Sequence, residues 1–279
     1  MKFWKMNGAG NDFIIINNII EKIPVERLPD VARKLCHRRF SIGADGLMAV
    51  EKPEGDGDFR MLFFNSDGSM GEMCGNGARC ICRYGYENSL AGETQKVETT
   101  AGMVTGSRLS EREYRIRLND PAVLRLDEEV FAGGTGYVCS YVELGDPGIP
   151  HCVIEWKNLR NCPKEKLYDT ARALRSYGGY PNGANVNFYD MESDGTIFER
   201  TFERGVEDFT CACGTGTGAT AVVLALKGFV PGRNVAVDME GGRLFIDVTA
   251  EGGKVRDIFL TGPTNIVAKG EVTDEDFIL

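Results

Sequence analysis

The sequence lacks the features that would place this protein in a membrane or on a nucleic acid. No apolar run approaches the roughly 20 residues that a transmembrane helix needs. The amino terminus lacks the charged, apolar and small-residue regions of a signal peptide. Positive charge is in deficit, because 32 Lys and Arg stand against 41 Asp and Glu and leave a net charge of -9. We therefore expect a cytoplasmic protein that binds neither a membrane nor a nucleic acid.

A complete disulfide framework is also lacking, because the nine cysteines form an odd set in a chain without an export signal. Such a set is typical of reduced thiols. The cysteines at 74, 80 and 82 and at 211 and 213 do not show the two-residue gaps of structural zinc sites. We therefore expect thiols and no metal. With 279 residues, of which 42% are hydrophobic, the chain is long enough for two ordinary domains.

The two halves of the chain share a sequence pattern. Cys74 opens Cys-Gly-Asn-Gly-Ala, and Cys213 opens Cys-Gly-Thr-Gly-Thr-Gly-Ala 139 residues later. A second match has the same offset: Leu28, Asp30, Ala32, Arg33 and Leu35 recur as Leu167, Asp169, Ala171, Arg172 and Leu174. The two matches together predict a duplicated fold with one thiol in each copy.

Apolar periodicity predicts the same elements in each half. Short apolar runs predict strands at residues 13–16, 61–64, 114–118, 152–154, 235–238 and 244–248. Helical spacing predicts amphipathic helices over 28–35 and 167–174. After Cys213 the sequence is apolar on all sides up to a stop at Gly228, and a similar stretch after Cys74 ends near Gly85. Each half is thus predicted to be a sheet wrapped around a central helix that begins at its cysteine, with the turn Asn119-Asp120-Pro121 between the halves.

A cysteine at a helix amino terminus points to acid–base chemistry. The unpaired N–H groups there bind anions and favour a thiolate. Two such ends can hold one carboxylate while one thiol removes a proton from the adjacent carbon and the other returns one. Polar residues precede each cysteine in register, Asn65 before Cys74 and Glu203 with Arg204 before Cys213. Arg204 suits a carboxylate and Glu203 an ammonium group, and Asn11 and Asn185 lie at the mouths of apolar runs.

Four runs closely resemble the diaminopimelate epimerase family. They are Gly10-Asn11-Asp12-Phe13, Cys74-Gly75-Asn76-Gly77-Ala78-Arg79-Cys80, Asn185-Val186-Asn187-Phe188 and the stretch from Glu203-Arg204-Gly205 through Ala212-Cys213-Gly214-Thr215-Gly216. The resemblance implies a cofactor-independent isomerase, commonly dimeric, that interconverts LL- and meso-diaminopimelate for lysine and peptidoglycan synthesis. It implies an α+β fold of two pseudo-symmetric α/β domains, each a mixed or antiparallel β-sheet barrel around a central helix, with the site between them.

The resemblance also implies domain bounds and residue roles. Residues 1–119 would form the first domain, to which residues 264–279 return, and residues 120–263 the second. Cys74 and Cys213 would be the acid and base. The reacting carboxylate would be held by Gly75, Asn76, Gly214 and Thr215, and the rest of the substrate by Asn11, Asn65, Asn185, Glu203 and Arg204. His151 and Glu203 would tune the thiols.

The sequence departs from the family pattern before His151. Where the family usually has Gly-Asn-Pro-His, this chain has Gly148-Ile149-Pro150-His151, so an apolar side chain replaces a substrate-binding asparagine. A racemase or epimerase of another amino acid, such as proline, hydroxyproline or histidine, therefore stays open as an alternative. A binding protein or a metal-carrying scaffold that kept the fold without the activity is a second alternative. Cys211 lies two residues before Cys213, but only Cys213 precedes Gly-x-Gly.

Overall fold

The computed structural model describes residues 1–71 and 74–273. The strands of this part of the chain are β1 (Lys2–Gly8), β2 (Asn11–Asn17), β3 (Gly46–Glu51), β4 (Phe59–Asn65), β5 (Thr94–Thr99), β6 (Gly102–Arg108), β7 (Glu113–Arg117), β8 (Pro121–Ala132), β9 (Thr135–Gly145), β10 (Gly148–Glu155), β11 (Asn185–Met191), β12 (Ile197–Glu203), β13 (Asp208–Phe209), β14 (Val235–Met239), β15 (Gly242–Glu251), β16 (Lys254–Pro263) and β17 (Asn265–Glu271). Its helices are α1 (Asn18–Glu21), α2 (Leu28–Leu35), α3 (Gly75–Glu87), α4 (Tyr168–Arg175) and α5 (Gly214–Leu226). Short 3-10 turns lie at Val25–Arg27, Leu159–Asn161 and Lys164–Lys166.

The first of two compact units comprises residues 1–116 and the described residues from Gly262 onward. In it, β1 pairs antiparallel with β17 and β2. Strand β2 pairs parallel with β3, β3 antiparallel with β4, and β4 parallel with β5. Strands β5, β6 and β7 follow as an antiparallel meander. Helix α3 packs against β1, β2 and β6, so this sheet surrounds it.

The second unit comprises residues 117–261 and repeats this order. Strand β9 pairs antiparallel with β8 and β10, β10 parallel with β11, and β11 antiparallel with β12. Strand β12 then pairs parallel with β14 and antiparallel with β13, and the antiparallel strands β14, β15 and β16 follow. Helix α5 packs against β9, β10, β11 and β15.

The two units share helix lengths as well as pairing order. Strands β2, β3 and β4 with helices α2 and α3 correspond to β10, β11 and β12 with α4 and α5. Helices α3 and α5 each contain 13 residues and each begin directly after a cysteine in extended conformation. The predicted duplication and the predicted α+β class, with a sheet around a central helix in each copy, are therefore confirmed.

The second unit has two layers because side chains alternate across its strands. Cys152, Val186, Phe188 and Phe202 lie on one face, in the apolar cluster that includes Ala171 and Leu174 of α4. The neighbouring positions in the same strands face α5. Those positions carry the polar side chains on which the candidate site depends.

Small residues let α5 lie close to the sheet. Gly214 through Leu224 are all buried, and most are Gly, Ala, Thr or Val. The helix ends at Leu226, and Gly228 follows with a φ of 72°, a left-handed conformation that suits the glycine stop expected there.

The predicted and observed boundaries between the units differ by a few residues. Residues 118–120 form no regular element, and β8 begins at Pro121 within the predicted turn. The returning segment includes β17, while residues 274–279 of that predicted segment lie outside the described residues. Across residues 1–71 and 74–273, no helix combines the length and apolar character needed to cross a membrane.

Candidate active site

Cys213 lies at the amino end of α5, where the sequence predicts it. The backbone N–H of Gly216 donates to Cys213 Sγ at 3.4 Å, and Thr215 Oγ1 lies 3.6 Å from the same sulfur. The side chain is nearly enclosed, since Cys213 is 8% exposed. The thiol is therefore held by the first turn of its own helix.

The charge state of Cys213 depends on its burial as well as on the helix terminus. Burial raises the pKa of the Cys213 thiol well above its ordinary value, and the negative charge of Glu203 raises it further. The hydrogen bonds from Thr215 and Gly216 lower the pKa, but they do not outweigh burial. Cys213 is therefore a thiol at neutral pH, because the helix terminus is buried instead of open to water.

Cys74 occupies the matching position at the amino end of α3 and is half-buried. A chain of hydrogen bonds from the first turn of α3 fixes the side chains of two predicted site residues, Asn76 and Asn11. Arg79 Nη2 donates to Asn76 Oδ1 at 2.7 Å, and Asn76 Nδ2 donates to Asn11 Oδ1 at 2.7 Å. Asn11 Nδ2 then donates to Asp45 Oδ2 at 3.1 Å. A buried cation at one end and a carboxylate at the other thus orient both amide groups.

Asn65 lies at the end of β4, beside the start of β3. Its Nδ2 donates to Ser69 Oγ at 2.9 Å, and its backbone N–H donates to the Ser69 carbonyl oxygen at 2.9 Å. The pairing of Gly46 with Asn65, and of Phe13 with Gly46, aligns the adjacent ends of β2, β3 and β4. The first unit therefore gathers Asn11 and Asn65 at one end of its sheet.

His151 is fully buried beside Asn187, and its tautomer follows from that contact. Asn187 Nδ2 lies 3.3 Å from the Cys152 carbonyl oxygen, which can only accept, and 3.2 Å from His151 Nδ1. Nδ1 therefore accepts, and the ring proton lies on Nε2. Nε2 has no hydrogen-bond partner among the described residues. Burial, with a contribution from the charge of Arg204, lowers the pKa of His151 to about 3, so the ring is neutral at pH 7.

Glu203 is the last residue of β12, and Arg204 follows it directly. Thr210 Oγ1 donates to Glu203 Oε1 at 2.6 Å. The backbone N–H of Arg204 donates to Asn185 Oδ1 at 2.7 Å, and its guanidinium Nη1 donates to the Asn182 carbonyl oxygen at 2.9 Å. Asn185 thus positions the backbone next to Glu203. The Arg204 side chain is exposed.

The strand register brings these residues of the second unit together. His151 pairs with Asn185 across the parallel strands β10 and β11, and Val186 pairs with Phe202 one residue before Glu203. The amino end of α5, which carries Gly214 and Thr215, follows from the same part of the chain. Among the site residues predicted in the second unit, Asn185 begins β11 and Glu203 ends β12. His151 lies within β10 opposite Asn185, Arg204 follows β12, and Cys213 precedes Gly214 and Thr215 at the start of α5.

Sequence reasoning missed several residues that support these groups: Asp45, Arg79, Asn187, Glu199, Thr201, Thr210, Thr217 and Thr220. Asn187 carried a signal, because it lies two residues after Asn185 and so shares its face of β11. Glu199 carried no such signal, because its strand, Ile197–Glu203, contains two other charged residues, Arg200 and Glu203. Within the described ranges, no group of three or more His, Cys, Asp or Glu side chains is arranged to hold a metal ion.

Solved structures with this fold include proteins that act on amino acids. A probable proline racemase from Agrobacterium radiobacter K84 superposes with a TM-score of 0.69 and 16% identity, covering 99% of this chain and 94% of that chain. A hydroxyproline epimerase from Agrobacterium vitis superposes with a TM-score of 0.69 and 16% identity, covering 100% and 95% of the two chains. At such identity the likeness shows the fold alone. The fold is thus that of a class of proteins that includes racemases and epimerases.

Sequence relatives define the family within this class. A sequence model of diaminopimelate epimerase matches residues 3–119 and 145–267. The diaminopimelate epimerase of Aquifex aeolicus is 36% identical over 285 residues, which cover 99% of this chain and 99% of that protein. The diaminopimelate epimerase of Methanothrix thermoacetophila is 37% identical over 285 residues, covering 99% and 97%. The chain belongs to the diaminopimelate epimerase family.

Proposed function

We propose that this protein interconverts LL- and meso-2,6-diaminopimelate by proton transfer at one α-carbon. Family membership over nearly the whole chain supports this activity. The observation that carries the mechanism is the repeated placement of a cysteine at the amino end of a buried central helix, Cys74 before α3 and Cys213 before α5. Two such thiols supply the acid and the base that inversion of a stereocentre requires.

The structure of the second unit supports an assignment of starting roles. Cys213 is a thiol at neutral pH, because burial and Glu203 raise its pKa. We therefore assign Cys213 as the acid that donates a proton, and Cys74 as the thiolate that removes one from the opposite face of the carbon. The carbanion formed by proton loss receives the proton of Cys213, which becomes the thiolate. In the reverse direction the two cysteines exchange roles.

Backbone N–H groups at the two helix starts would hold the reacting carboxylate. The first N–H groups of a helix have no partner within the helix and carry a partial positive charge. We assign this role to Gly75 and Asn76 on α3 and to Gly214 and Thr215 on α5. These groups stabilise the extra negative charge that develops on the carboxylate when the α-carbon loses its proton.

The remaining polar groups would bind the rest of the substrate and tune the thiols. Asn11, Asn65 and Asn185 present amide groups, and Arg204 presents an exposed guanidinium that suits a second carboxylate. Glu203 suits an ammonium group, and its charge also raises the pKa of Cys213. We assign His151 a tuning role, in which its buried Nε2–H donates to an acceptor of the assembled site.

Incubation with LL-diaminopimelate in deuterated water tests this function. We expect deuterium at the α-carbon and a mixture of LL and meso isomers, with both signals abolished in Cys74→Ala and in Cys213→Ala. Cys211→Ala is the matched control, because Cys211 is exposed and has no assigned role. Near-normal activity in either Cys74→Ala or Cys213→Ala would contradict the two-base mechanism.

A racemase or epimerase of another amino acid is the second candidate. Ile149 favours it, because an apolar side chain stands where the family pattern usually places an asparagine that binds substrate. Proline, hydroxyproline and histidine are the substrates to include in the same deuterium assay. Exchange with one of these and none with diaminopimelate would replace the first proposal with the second.

The proposed function includes a cofactor requirement, a cellular location, an oligomeric state and a biosynthetic role. We propose that the protein works without a cofactor, in the cytoplasm, as a homodimer, and supplies lysine and peptidoglycan synthesis. We further propose that the two compact units are the two domains of the family fold, so that residues 1–119 with the returning segment and residues 120–263 each contribute one thiol. Analytical ultracentrifugation tests the dimer, and a monomer at all protein concentrations would contradict it.

A further inference from the structure

Glu199 is a buried carboxyl group to which the proposed mechanism assigns no role. It lies on β12, on the face turned toward α5, and is 0% exposed. Thr220 Oγ1 donates to Glu199 Oε1 at 2.8 Å, and Thr217 Oγ1 lies 2.9 Å from Oε2. Among the described residues no Lys, Arg or His forms an ion pair with it. A fully buried carboxyl group held by two hydroxyl groups, with no cation, is costly to maintain in ionised form.

Thr217 connects this carboxyl group to Cys213. Its Oγ1 lies 2.9 Å from the Cys213 carbonyl oxygen as well as 2.9 Å from Glu199 Oε2. A hydroxyl group has a single proton to donate. When Glu199 is ionised, that proton goes to Glu199. When Glu199 is protonated, its O–H donates to Thr217 Oγ1, and the hydroxyl proton of Thr217 is released to the carbonyl oxygen of Cys213.

Charge connects the two groups as well. A negative charge on Glu199 opposes a second negative charge on the Cys213 sulfur, and it contributes to the raised pKa of Cys213. Burial raises the pKa of Glu199 itself to about 7, although both threonine hydroxyl groups lower it. The carboxyl group therefore changes its protonation state near neutral pH, where a small change in its surroundings decides its charge.

Few other charged groups face Glu199. On its own face of the sheet, Tyr189 of β11 pairs opposite it, and Glu203 lies at the end of β12. Arg200 and Asp238 take neighbouring positions on β12 and β14 but form ion pairs with other groups, Arg200 with Glu240 and Asp238 with Arg160 and Arg243. Directly before α5, Cys213 is the titratable group linked to Glu199 through Thr217. Glu199 and Cys213 thus interact electrostatically, and Glu203 has a larger effect than Glu199 on the pKa of Cys213.

We propose that Glu199 is a positioning residue for Cys213, which fixes the first turn of α5 through Thr217 and Thr220 and, by losing or keeping its proton, sets how readily Cys213 ionises. The importance of this coupling for catalysis rests on the proposed function, in which Cys213 alternates between thiol and thiolate. A neutral Glu199 accompanies the thiolate, and an ionised Glu199 favours the thiol.

The rate at which iodoacetamide alkylates Cys213, followed by mass spectrometry of its peptide from pH 5.5 to 9.5, tests the coupling. The logarithm of the rate rises with pH as the thiolate fraction rises. In the unaltered protein we expect this rise to flatten near pH 7, because ionisation of Glu199 makes Cys213 harder to ionise. We call this flat region of the plot the step. In Glu199→Gln we expect no step, an equal rate at low pH, and a rate about tenfold higher at pH 9, which corresponds to one pKa unit.

Two further variants make the test specific. Thr220→Val removes a donor to the Glu199 carboxylate without touching Cys213, so the step should move to higher pH. This variant also tests the coupling between Glu199 and Cys213 if Glu199→Gln does not fold. Glu251→Gln is the control, because Glu251 is an exposed acid of the same unit, and it should keep the step at its original pH.

The proposal is overturned if Glu199→Gln keeps the step, if Thr220→Val leaves the step where it was, or if alkylation of Cys74 changes as much as that of Cys213. The measurement needs no substrate. An alkylation step that disappears in Glu199→Gln, in a protein that does not epimerise diaminopimelate, would therefore uphold the coupling and refute only the proposed function. In an active enzyme, the pH profile of kcat/KM should lose its inflection near pH 7 in Glu199→Gln.

Discussion

Gly216 lies directly against Asn187. A Cβ atom built on Gly216 would lie 2.2 Å from Asn187 Oδ1, far inside the contact distance of carbon and oxygen. The Asn187 side chain cannot retreat easily, because its Nδ2 contacts the Cys152 carbonyl oxygen and His151, and its Oδ1 accepts from Thr201 Oγ1 at 3.0 Å. The same glycine donates its N–H to Cys213 Sγ. The sulfur, the helix start and the buried histidine are therefore held as one packed group.

The duplicated glycines give a matched pair of substitutions. Gly77 holds the position in α3 that Gly216 holds in α5, but its Cβ would meet Met48 Cε, the far end of a flexible side chain, at 2.4 Å. We expect Gly216→Ala to destabilise the protein by about 1–3 kcal/mol, as overpacking does, and to displace the Gly216 N–H from Cys213. Gly77→Ala should cost less, because Met48 can move.

Thermal unfolding and the deuterium assay check this pair. Gly178→Ala is the control, since a Cβ atom there meets nothing within 4 Å. An equal loss of stability and activity in Gly77→Ala and Gly216→Ala would show that the contact with Asn187 has no special effect.

The buried Glu199 should make stability depend on pH. Its pKa is about 7 in the folded protein, against an ordinary value of 4.5. Between these values the unfolded chain has lost the proton that the folded protein keeps, so the contribution to the free energy of unfolding falls as pH rises, by about 3 kcal/mol in total. Glu199→Gln should therefore gain stability relative to the unaltered protein between pH 4.5 and pH 7.

The contribution of His151 to the free energy of unfolding changes with pH in the opposite direction. Its pKa is about 3 in the folded protein, against an ordinary value of 6.5. Between these values the unfolded chain binds a proton that the folded protein does not, so this contribution is complete above pH 6.5 and is lost as pH falls toward 3. The two effects oppose each other where they overlap. Urea unfolding of Glu199→Gln and His151→Gln at several pH values separates them, and Glu251→Gln should show neither change.

Asp45 should affect substrate binding through Asn11. Asp45 fixes which end of the Asn11 amide group faces Asn76, because its carboxylate accepts only from Nδ2. Asp45→Ala frees that amide, and loss of a hydrogen bond to a charged group costs about 1.5–3 kcal/mol. We expect KM for diaminopimelate to rise at least tenfold. Glu111→Ala, an exposed change in the turn between β6 and β7 of the same unit, should leave KM unaltered. An unchanged KM in Asp45→Ala would remove Asn11 from the substrate site.

Oxidation should inactivate the enzyme reversibly. If both thiols act on a single carbon, they lie close enough for an oxidant to join them. We expect loss of epimerase activity with a disulfide between Cys74 and Cys213, detected by peptide mapping, and recovery of activity with dithiothreitol. Cys211→Ala should be inactivated in the same way. Full activity in the presence of oxidant would count against two neighbouring thiols.

The sequence by itself determined the duplication, the helix that begins at each cysteine, and six of the seventeen strands in the described residues, because these depend on local apolar periodicity and on glycine at a helix start. It did not show the long hairpin of β8 and β9, in which four charged residues interrupt the apolar pattern of β8. Family resemblance supplied the expected roles of Asn11, Asn185 and His151.

Only the tertiary structure decided how those groups are held and charged. Asp45 meets Asn11 from 34 residues away, and Glu199 meets Thr217 and Thr220 across the packed face of a sheet. The helix termini alone left open which of the two cysteines is the thiolate, whereas burial raises the pKa of Cys213 and makes it a thiol. Desolvation depends on everything packed around a group, and distant segments supply that packing, so local sequence does not reveal it.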